Sequence, residues 1–184
     1  MRKLFGGMLL AAVALTLPAT VDAQRRAAPP GGARHELGVD VGVAYVKPDG
    51  VDGGIVIQTP LDVRVGFVNA GKMMWEPRLT FNFSSVGGNT SYFIQPGVNV
   101  LFSNTTGGHR RGMYFTGGGG LLLADAGGGS GTAFSFNAGV GWRKPSGSAA
   151  LRYEVGFQWT SESTDLGLPS TIMLGGRIGL SLWK

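Results

Sequence analysis

A strict two-residue alternation over residues 149–159 constrains the fold more than any other feature of this chain. Apolar and aromatic residues occupy the odd positions from Leu151 to Trp159, whereas the even positions hold Arg152, Glu154, a glycine and a glutamine. Successive side chains of a β-strand point to opposite faces, so this pattern predicts a strand with one apolar and one polar face.

The same alternation recurs in seven further segments, which are separated by sequences rich in Gly, Pro, Asn and Asp. The first predicted strand runs from His35 to the loop that starts at Lys47. The others cover residues 55–68, 73–84, 91–102, 112–124, 132–143, 149–159 and 171–183. Eight such segments joined by turns predict an all-β fold, namely an eight-stranded antiparallel up-and-down β-barrel.

Two features complicate these strands. The run from Gly117 to Gly120 carries no side chains, so the phase of the fifth strand stays open. Pro60, Pro77 and Pro96 fall inside strands two to four, and each proline removes one hydrogen-bond donor from a β-ladder. Either bulges at these three positions accommodate them or the predicted strand limits there are wrong.

The first 34 residues lie outside the alternation. Arg2 and Lys3 precede an apolar run from Leu4 to Leu17, and small residues precede Gln24, which predicts a signal peptide over residues 1–23. The run is too short for a membrane-spanning anchor. Residues 24–34 predict a flexible tail, and residues 35–184 the barrel. The sequence holds no cysteine, so disulfides are excluded.

The alternation alone leaves open which face of the sheet points outward. With the apolar face inside, as in a soluble ligand-binding barrel, large side chains from eight strands would compete for an interior that side chains already fill. With the small and polar face inside, the bulky face meets lipid. A closed barrel also pairs every strand, so no backbone group meets lipid unpaired. We therefore predict a transmembrane β-barrel.

The predicted inward face carries acids and arginines in equal number, which predicts an ion-paired network in the lumen. These residues are Glu36, Asp40, Asp62, Glu76 and Glu154 with Arg64, Arg78, Arg143, Arg152 and Arg177. Two functions follow. Either the lumen is occluded and the protein has a structural or interaction role, or Arg64, Arg78, Arg152 and Glu154 line a narrow porin-like channel for ions or small polar solutes. Eight strands favour occlusion.

Aromatic residues cluster near the predicted strand ends, where amphipathic rings favour the interface between lipid and water. The predicted interface residues are Tyr45, Trp75, Tyr92, Phe102, Trp142, Trp159 and Trp183.

The alternation over residues 35–184 and the closing sequence Gly179 to Lys184 resemble the bacterial outer-membrane β-barrel superfamily, in particular the small OmpA/OmpX-type eight-stranded barrels. Members usually end in an alternating strand closed by an aromatic residue, which the barrel-assembly machinery reads. Here Trp183 is penultimate and Lys184 is last, while Ile178, Leu180 and Leu182 fill the preceding apolar positions. The resemblance implies a Gram-negative cell envelope and contact with that machinery during biogenesis.

Other functional classes receive little support from the sequence. If the N-terminus starts in the periplasm, the turns 69–72, 103–111 and 144–147 form the periplasmic rim, and the loops near 48–54, 85–90, 125–131 and 160–170 face outside. His35 and His109 are the two histidines, and a site built on them, as in lipid A-modifying enzymes, would need residues from the periplasmic rim. We predict no enzyme, cofactor or metal, and Arg110-Arg111 is too small a patch for nucleic acid. The expected partners of a monomeric barrel are outer-membrane lipid and lipopolysaccharide. Acidic outer loops could reach the latter through divalent cations.

Overall fold

A computed structural model describes residues 35–50, 52–70, 72–86, 89–104, 109–125 and 130–184. The predicted signal peptide and tail lie outside these residues. Eight strands make up the fold: β1 His35–Pro48, β2 Gly54–Ala70, β3 Met73–Val86, β4 Asn89–Ser103, β5 Gly112–Asp125, β6 Ser130–Ser146, β7 Ala149–Thr160 and β8 Thr171–Trp183. No helix among the described residues is long and apolar enough to cross a membrane.

Each strand pairs antiparallel with its sequence neighbour, and β1 also pairs with β8, so the sheet closes into a barrel. The closing ladder is continuous from the Glu36–Trp183 pair to the Pro48–Thr171 pair. The predicted fold class is confirmed, and the strand limits differ from the predicted ones by no more than three residues.

The barrel has two distinct ends. We call one end the terminal end, because β1 begins there and β8 ends there. The connections after Ala70, Ser103 and Ser146 lie at this end. The connections after Pro48, Val86, Asp125 and Thr160 lie at the opposite end, which we call the loop end. At the terminal end, Gly147 has a φ of 60° and takes the first central position of a two-residue hairpin turn. The predicted turn over residues 144–147 is therefore shorter, because β6 continues to Ser146.

Burial alternates along the strands with the period of the sequence. In β1 the even positions from Glu36 to Asp40 are buried, while the odd positions from His35 to Tyr45 are exposed. The polar face of each strand therefore points into the barrel and the apolar face points out. This arrangement places the charged residues together in the lumen.

The three prolines are accommodated in two ways. Around Pro60 the β1–β2 register shifts, with three residues of β2 opposite Val41, which is the expected bulge. At Pro77 and Pro96 there is no bulge, and β3 and β4 continue through both positions. The β2–β3 and β4–β5 ladders each lose two pairs there and resume in the same register, since proline has no N–H to donate.

The structure also gives β5 a single phase. Tyr114 and Thr116 are buried and point inward, whereas Phe115, Leu121 and Leu123 are exposed on the outer wall. The phase passes unbroken through the run of four glycines. Leu122 therefore points into the lumen, toward the loop end.

Candidate functional site in the barrel interior

The ten charged residues predicted for the lumen all lie on the inward face, in the middle and the terminal half of the barrel. Nine of them are at most 9% exposed, and Arg64 and Glu76 are completely buried. Their side chains form one connected set, which we call the ion-pair network.

Glu36 is the first centre of the network. Its Oε1 accepts hydrogen bonds from Arg64 Nη1 at 2.6 Å and from Ser181 Oγ, and its Oε2 accepts one from Arg143 Nη2 at 2.6 Å. Arg64 also donates from Nε to Asp40 Oδ2 at 2.9 Å. One carboxylate of β1 thus connects to β2, β6 and β8, including a contact across the lumen.

Arg152 is the second centre. Its guanidinium binds both oxygens of Glu76, which lies on β3, and Nη2 also donates to Glu154 Oε2. Arg152 Nε donates to the hydroxyl of Tyr114, and that hydroxyl donates to Glu154 Oε2 at 2.9 Å. Charge-assisted and bidentate contacts of this kind are the stronger class of hydrogen bond.

Arg78 connects the two centres. Its Nη2 donates to Asp62 Oδ2 and, at 3.2 Å, to Asp40 Oδ2. Its Nη1 lies 3.6 Å from Glu76 Oε1 and 3.8 Å from Glu154 Oε1. Five acids and five arginines therefore compensate one another inside the barrel. Removing a single partner from such a buried set costs about 3–5 kcal/mol, because a charge is left without compensation.

Inward glycines make room for these large side chains. A Cβ on Gly38 would overlap the Arg64 guanidinium, and a Cβ on Gly179 would overlap the Asp40 carboxylate. The abundance of glycine on the inward face therefore has a steric cause.

A small apolar cluster closes the terminal end below the network. It consists of the buried side chains of Met74, Leu101, Tyr114, Ala150 and Trp183. The prediction that Trp183 is an interface residue is wrong, because Trp183 is 7% exposed and its ring lies under the Arg143 guanidinium at 5.3 Å. It shares the inward phase of Gly179 and Ser181, so the strand places it in the lumen.

A cavity of about 350 Å³ occupies the loop end of the lumen. Its inner boundary is formed by Asp40, Asp62 and Arg177, and its walls combine polar residues with apolar ones such as Leu122 and Met173. Arg177 also borders two smaller cavities of about 20 and 30 Å³, the first together with Glu154 and the second together with Arg78. The lumen is thus wide at the loop end and packed toward the terminal end.

Sequence reasoning missed several interior residues. Tyr114 is central to the network, but its inward orientation could not be inferred across the glycine run. Leu122 lies on an inward phase that the same glycine run conceals. Ser181 lies on the predicted polar face of the last strand, but its sequence position does not reveal its hydrogen bonds to Glu36 and Arg64. The assembly of a cavity from residues on seven strands had no local signal.

Comparison with known proteins finds solved structures with a similar barrel architecture. No family model and no curated protein matches the chain. The structure is similar to that of Neisserial surface protein A, with a TM-score of 0.51 at 12% identity, covering 80% of this chain and 96% of the other. The N-terminal barrel domain of OprF from Pseudomonas aeruginosa gives 0.46 at 10% identity, with 79% and 97% covered. Outer membrane protein OprG from the same organism gives 0.46 at 12% identity, with 83% and 97% covered.

The chain has the fold of the eight-stranded outer-membrane β-barrels.

In an outer-membrane barrel the aromatic residues on the outer wall sit near the membrane interfaces. Tyr45, Tyr92 and Trp159 point outward toward the loop end, and Trp159 stacks on Phe136 with ring centroids 6.0 Å apart. At the terminal end the outward aromatic residues are Trp75, Phe102 and Trp142, which are 43%, 53% and 48% exposed.

The two ends of the barrel differ in charge. Exposed bases surround the terminal end, namely Lys72, Arg111, Lys144 and Lys184. Exposed acids lie at the loop end, namely Asp49, Asp52, Glu162 and Asp165, with Lys47 beside them. Within the described ranges, no group of three or more His, Asp or Glu side chains is placed to hold a metal ion.

The two histidines lie at the terminal end, away from the cavity. His35 is exposed and meets the Phe67 ring edge-on at 5.7 Å. His109 is buried, and its carbonyl accepts a hydrogen bond from Arg143.

Proposed function

We propose that this chain is an integral outer-membrane protein whose lumen is sealed by the ion-pair network and whose role in the cell envelope is structural or interactive rather than catalytic. The observation that carries the proposal is the network itself. Ten charged side chains from six strands contact one another across the barrel, and nine of them are at most 9% exposed. Side chains fill the width of an eight-stranded barrel, so this packing supports a closed lumen.

The outer wall supports the membrane setting. Large apolar side chains stand exposed at successive outward positions, among them Val155 at 54%, Ile178 at 53% and Leu174 at 56%. Soluble monomers rarely expose continuous apolar patches of this extent, whereas a bilayer covers them. On this proposal the partners of the outer wall are membrane lipid and lipopolysaccharide.

The proposal also covers the orientation of the barrel, its assembly and its oligomeric state. We propose that the terminal end faces the periplasm and the loop end faces the exterior, which places the exposed acids outside, near lipopolysaccharide. Ile178, Leu180 and Leu182 form the outward face of the last strand and would be read by the barrel-assembly machinery. The chain would work as a monomer after removal of residues 1–23.

Conductance in planar bilayers tests the sealed lumen against the narrow channel. We expect the purified protein to give no stable current steps.

We also expect Arg152→Gln to lower the free energy of unfolding by about 3–5 kcal/mol, since Glu76 and Glu154 lose their shared partner.

The matched control is Lys144→Gln, which removes a charge from the exposed rim and should change stability by no more than about 0.5 kcal/mol. Stable current steps whose ion selectivity changes in Arg152→Gln would instead establish the channel.

A further inference from the structure

Arg177 differs from the other four arginines of the lumen. Arg64, Arg78, Arg143 and Arg152 each donate at least two side-chain hydrogen bonds. Arg177 has two longer ion contacts, at 3.7 Å from both Asp62 and Glu154, and its side chain is 24% exposed where the other four are at most 7%.

The acids beside Arg177 already have strong partners. Asp62 accepts hydrogen bonds from Arg78, and Asp40 accepts them from Arg64 and Arg78. Guanidinium groups carry five N–H donors in a planar fork that matches a carboxylate. Arg177 therefore supplies unused guanidinium donors at the floor of the cavity, while Asp40 Oδ1, which is buried against Gly179, is an acceptor there without a partner.

The walls above Arg177 provide a different surface. Phe93, Leu122, Met173 and Leu168 border the same cavity, between it and the loop end. Phe93, Leu122 and Met173 lie on the inward phases of their strands, although the outward face of the barrel offers lipid as an alternative environment for apolar groups, and Leu168 borders the cavity from the β7–β8 loop at 42% exposure. The lining also holds polar side chains such as Gln95, Gln158 and Thr160, and Arg177 is the one cation among the lining residues. Apolar walls combined with a few polar groups are typical of a site for a small organic ligand, and 350 Å³ lies in the size range of such sites.

The loop between β7 and β8 completes the cavity. Ser163 and Leu168 pair as a short bridge, and the Ser163 amide donates to the Leu168 carbonyl at 2.9 Å. Ser170 accepts hydrogen bonds from Trp159 Nε1 and, through its carbonyl, from the Asp49 amide, both at 2.9 Å. Because the loop is held at both sides, Leu168 and Pro169 form a fixed part of the wall.

We propose that this cavity binds a small monocarboxylate with an apolar body. The carboxylate would accept hydrogen bonds from the Arg177 guanidinium, and the body would pack on Leu122 and Met173. The site goes beyond the proposed function: it lies on the loop side of the ion-pair network and does not require the lumen to be open or closed at the terminal end.

Methionine methyl NMR tests the proposal with hexanoate as the probe. The chain would be studied folded in lipid nanodiscs with ¹³C-methyl methionine. Met173 lines the cavity and reports on the site, Met74 is buried in the terminal cluster and serves as the internal control, and Met73 and Met113 lie on the outer wall. Hexanoate should shift the Met173 methyl resonance saturably and leave Met74 unchanged. Hexan-1-ol, hexylamine and acetate should each bind about ten-fold more weakly, because each lacks one of the two contacts.

Two variants separate the contacts. Arg177→Gln should weaken hexanoate binding about ten-fold while leaving hexan-1-ol binding unchanged. Leu122→Trp should fill the cavity and abolish binding of both compounds, so it tests the site even if Arg177→Gln fails to fold. Lys72→Gln, at the terminal rim, should bind like the unsubstituted chain.

Several results would overturn the proposal. Equal binding of hexylamine and hexanoate would do so, and so would full hexanoate affinity in Arg177→Gln. Non-saturating shifts of Met73 and Met113 that match those of Met173 would indicate partition of the probe into lipid. None of them would affect the conductance result, so failure here is distinguishable from failure of the sealed-lumen proposal.

Discussion

At the scale of single residues, the lumen works by pairing a large side chain with an inward glycine on a neighbouring strand. Gly179 faces the Asp40 carboxylate, and Gly141 faces the Tyr114 ring. The volume of an eight-stranded interior is fixed, so these two large side chains fit because the position opposite has no Cβ. The network is thereby specified by its glycines as well as by its charges.

Two glycines of β8 test this account. Gly179→Ala should lower the free energy of unfolding by about 1–3 kcal/mol, the usual cost of overpacking, because its Cβ would meet Asp40 and the Val39 carbonyl. Gly176→Ala should be nearly neutral, because its Cβ would lie 3.7 Å or more from its neighbours on the outer face. Urea unfolding midpoints in bilayers measure both, and equal losses would contradict the role given to Gly179.

How far the sequence predicts the site depends on strand parity at each residue. The ten lumen charges could be predicted because they alternate with large apolar residues that mark the outward phase. Tyr114 could not, because Gly117 to Gly120 interrupt that marker. The prediction that Trp183 lies at the membrane interface rests on its aromatic character and disregards its inward position in the alternation of β8. In the structure Trp183 points inward, as that alternation requires.

At the scale of the strand, each element is a two-faced ribbon whose limits the sequence predicts well. Alternation ends where turn residues begin, so β8 has the predicted bounds and β5 is one residue longer. The behaviour of prolines was harder to predict, because it depends on which neighbour the missing N–H would have reached. Pro60 shifts a ladder, whereas Pro77 and Pro96 interrupt one.

The lipid-facing side of the strand has a depth-dependent test. Val155 lies in the middle of β7 and Leu182 close to the end of β8, and both point outward, at 54% and 47% exposure. Val155→Arg should destabilise the folded barrel by about 2–4 kcal/mol, whereas Leu182→Arg should cost about 0–1 kcal/mol. Unfolding free energies in lipid vesicles provide the comparison. If both substitutions are neutral, water and not hydrocarbon surrounds the mid-strand.

At the scale of the whole molecule, one end of the barrel is rimmed by bases and the other by acids. The sequence predicts this asymmetry once the up-and-down topology assigns alternate connections to the same end, since the turns of one end hold Lys72, Arg111 and Lys144 and the loops of the other hold Asp49, Asp52, Glu162 and Asp165. This asymmetry supports the orientation proposed above, with Lys144 in the periplasm and Asp165 outside.

Single-cysteine labelling tests the orientation, since the chain has no cysteine of its own. In intact cells, a membrane-impermeant maleimide should label Asp165→Cys and not Lys144→Cys, while both should react after the outer membrane is permeabilised. Labelling of Lys144→Cys alone in intact cells would reverse the orientation.

Quenching of single tryptophans by bromine on lipid acyl chains tests most directly the claim that the apolar wall meets lipid and the charged face is enclosed. Trp142 and Trp183 lie at the same end of the barrel, but Trp142 is 48% exposed on the outer wall and Trp183 is 7% exposed in the lumen. In variants that retain one tryptophan each, with the others changed to Phe, we expect brominated lipid to quench Trp142 strongly and Trp183 little. Strong quenching of Trp142 by aqueous iodide and none by brominated lipid would contradict the account.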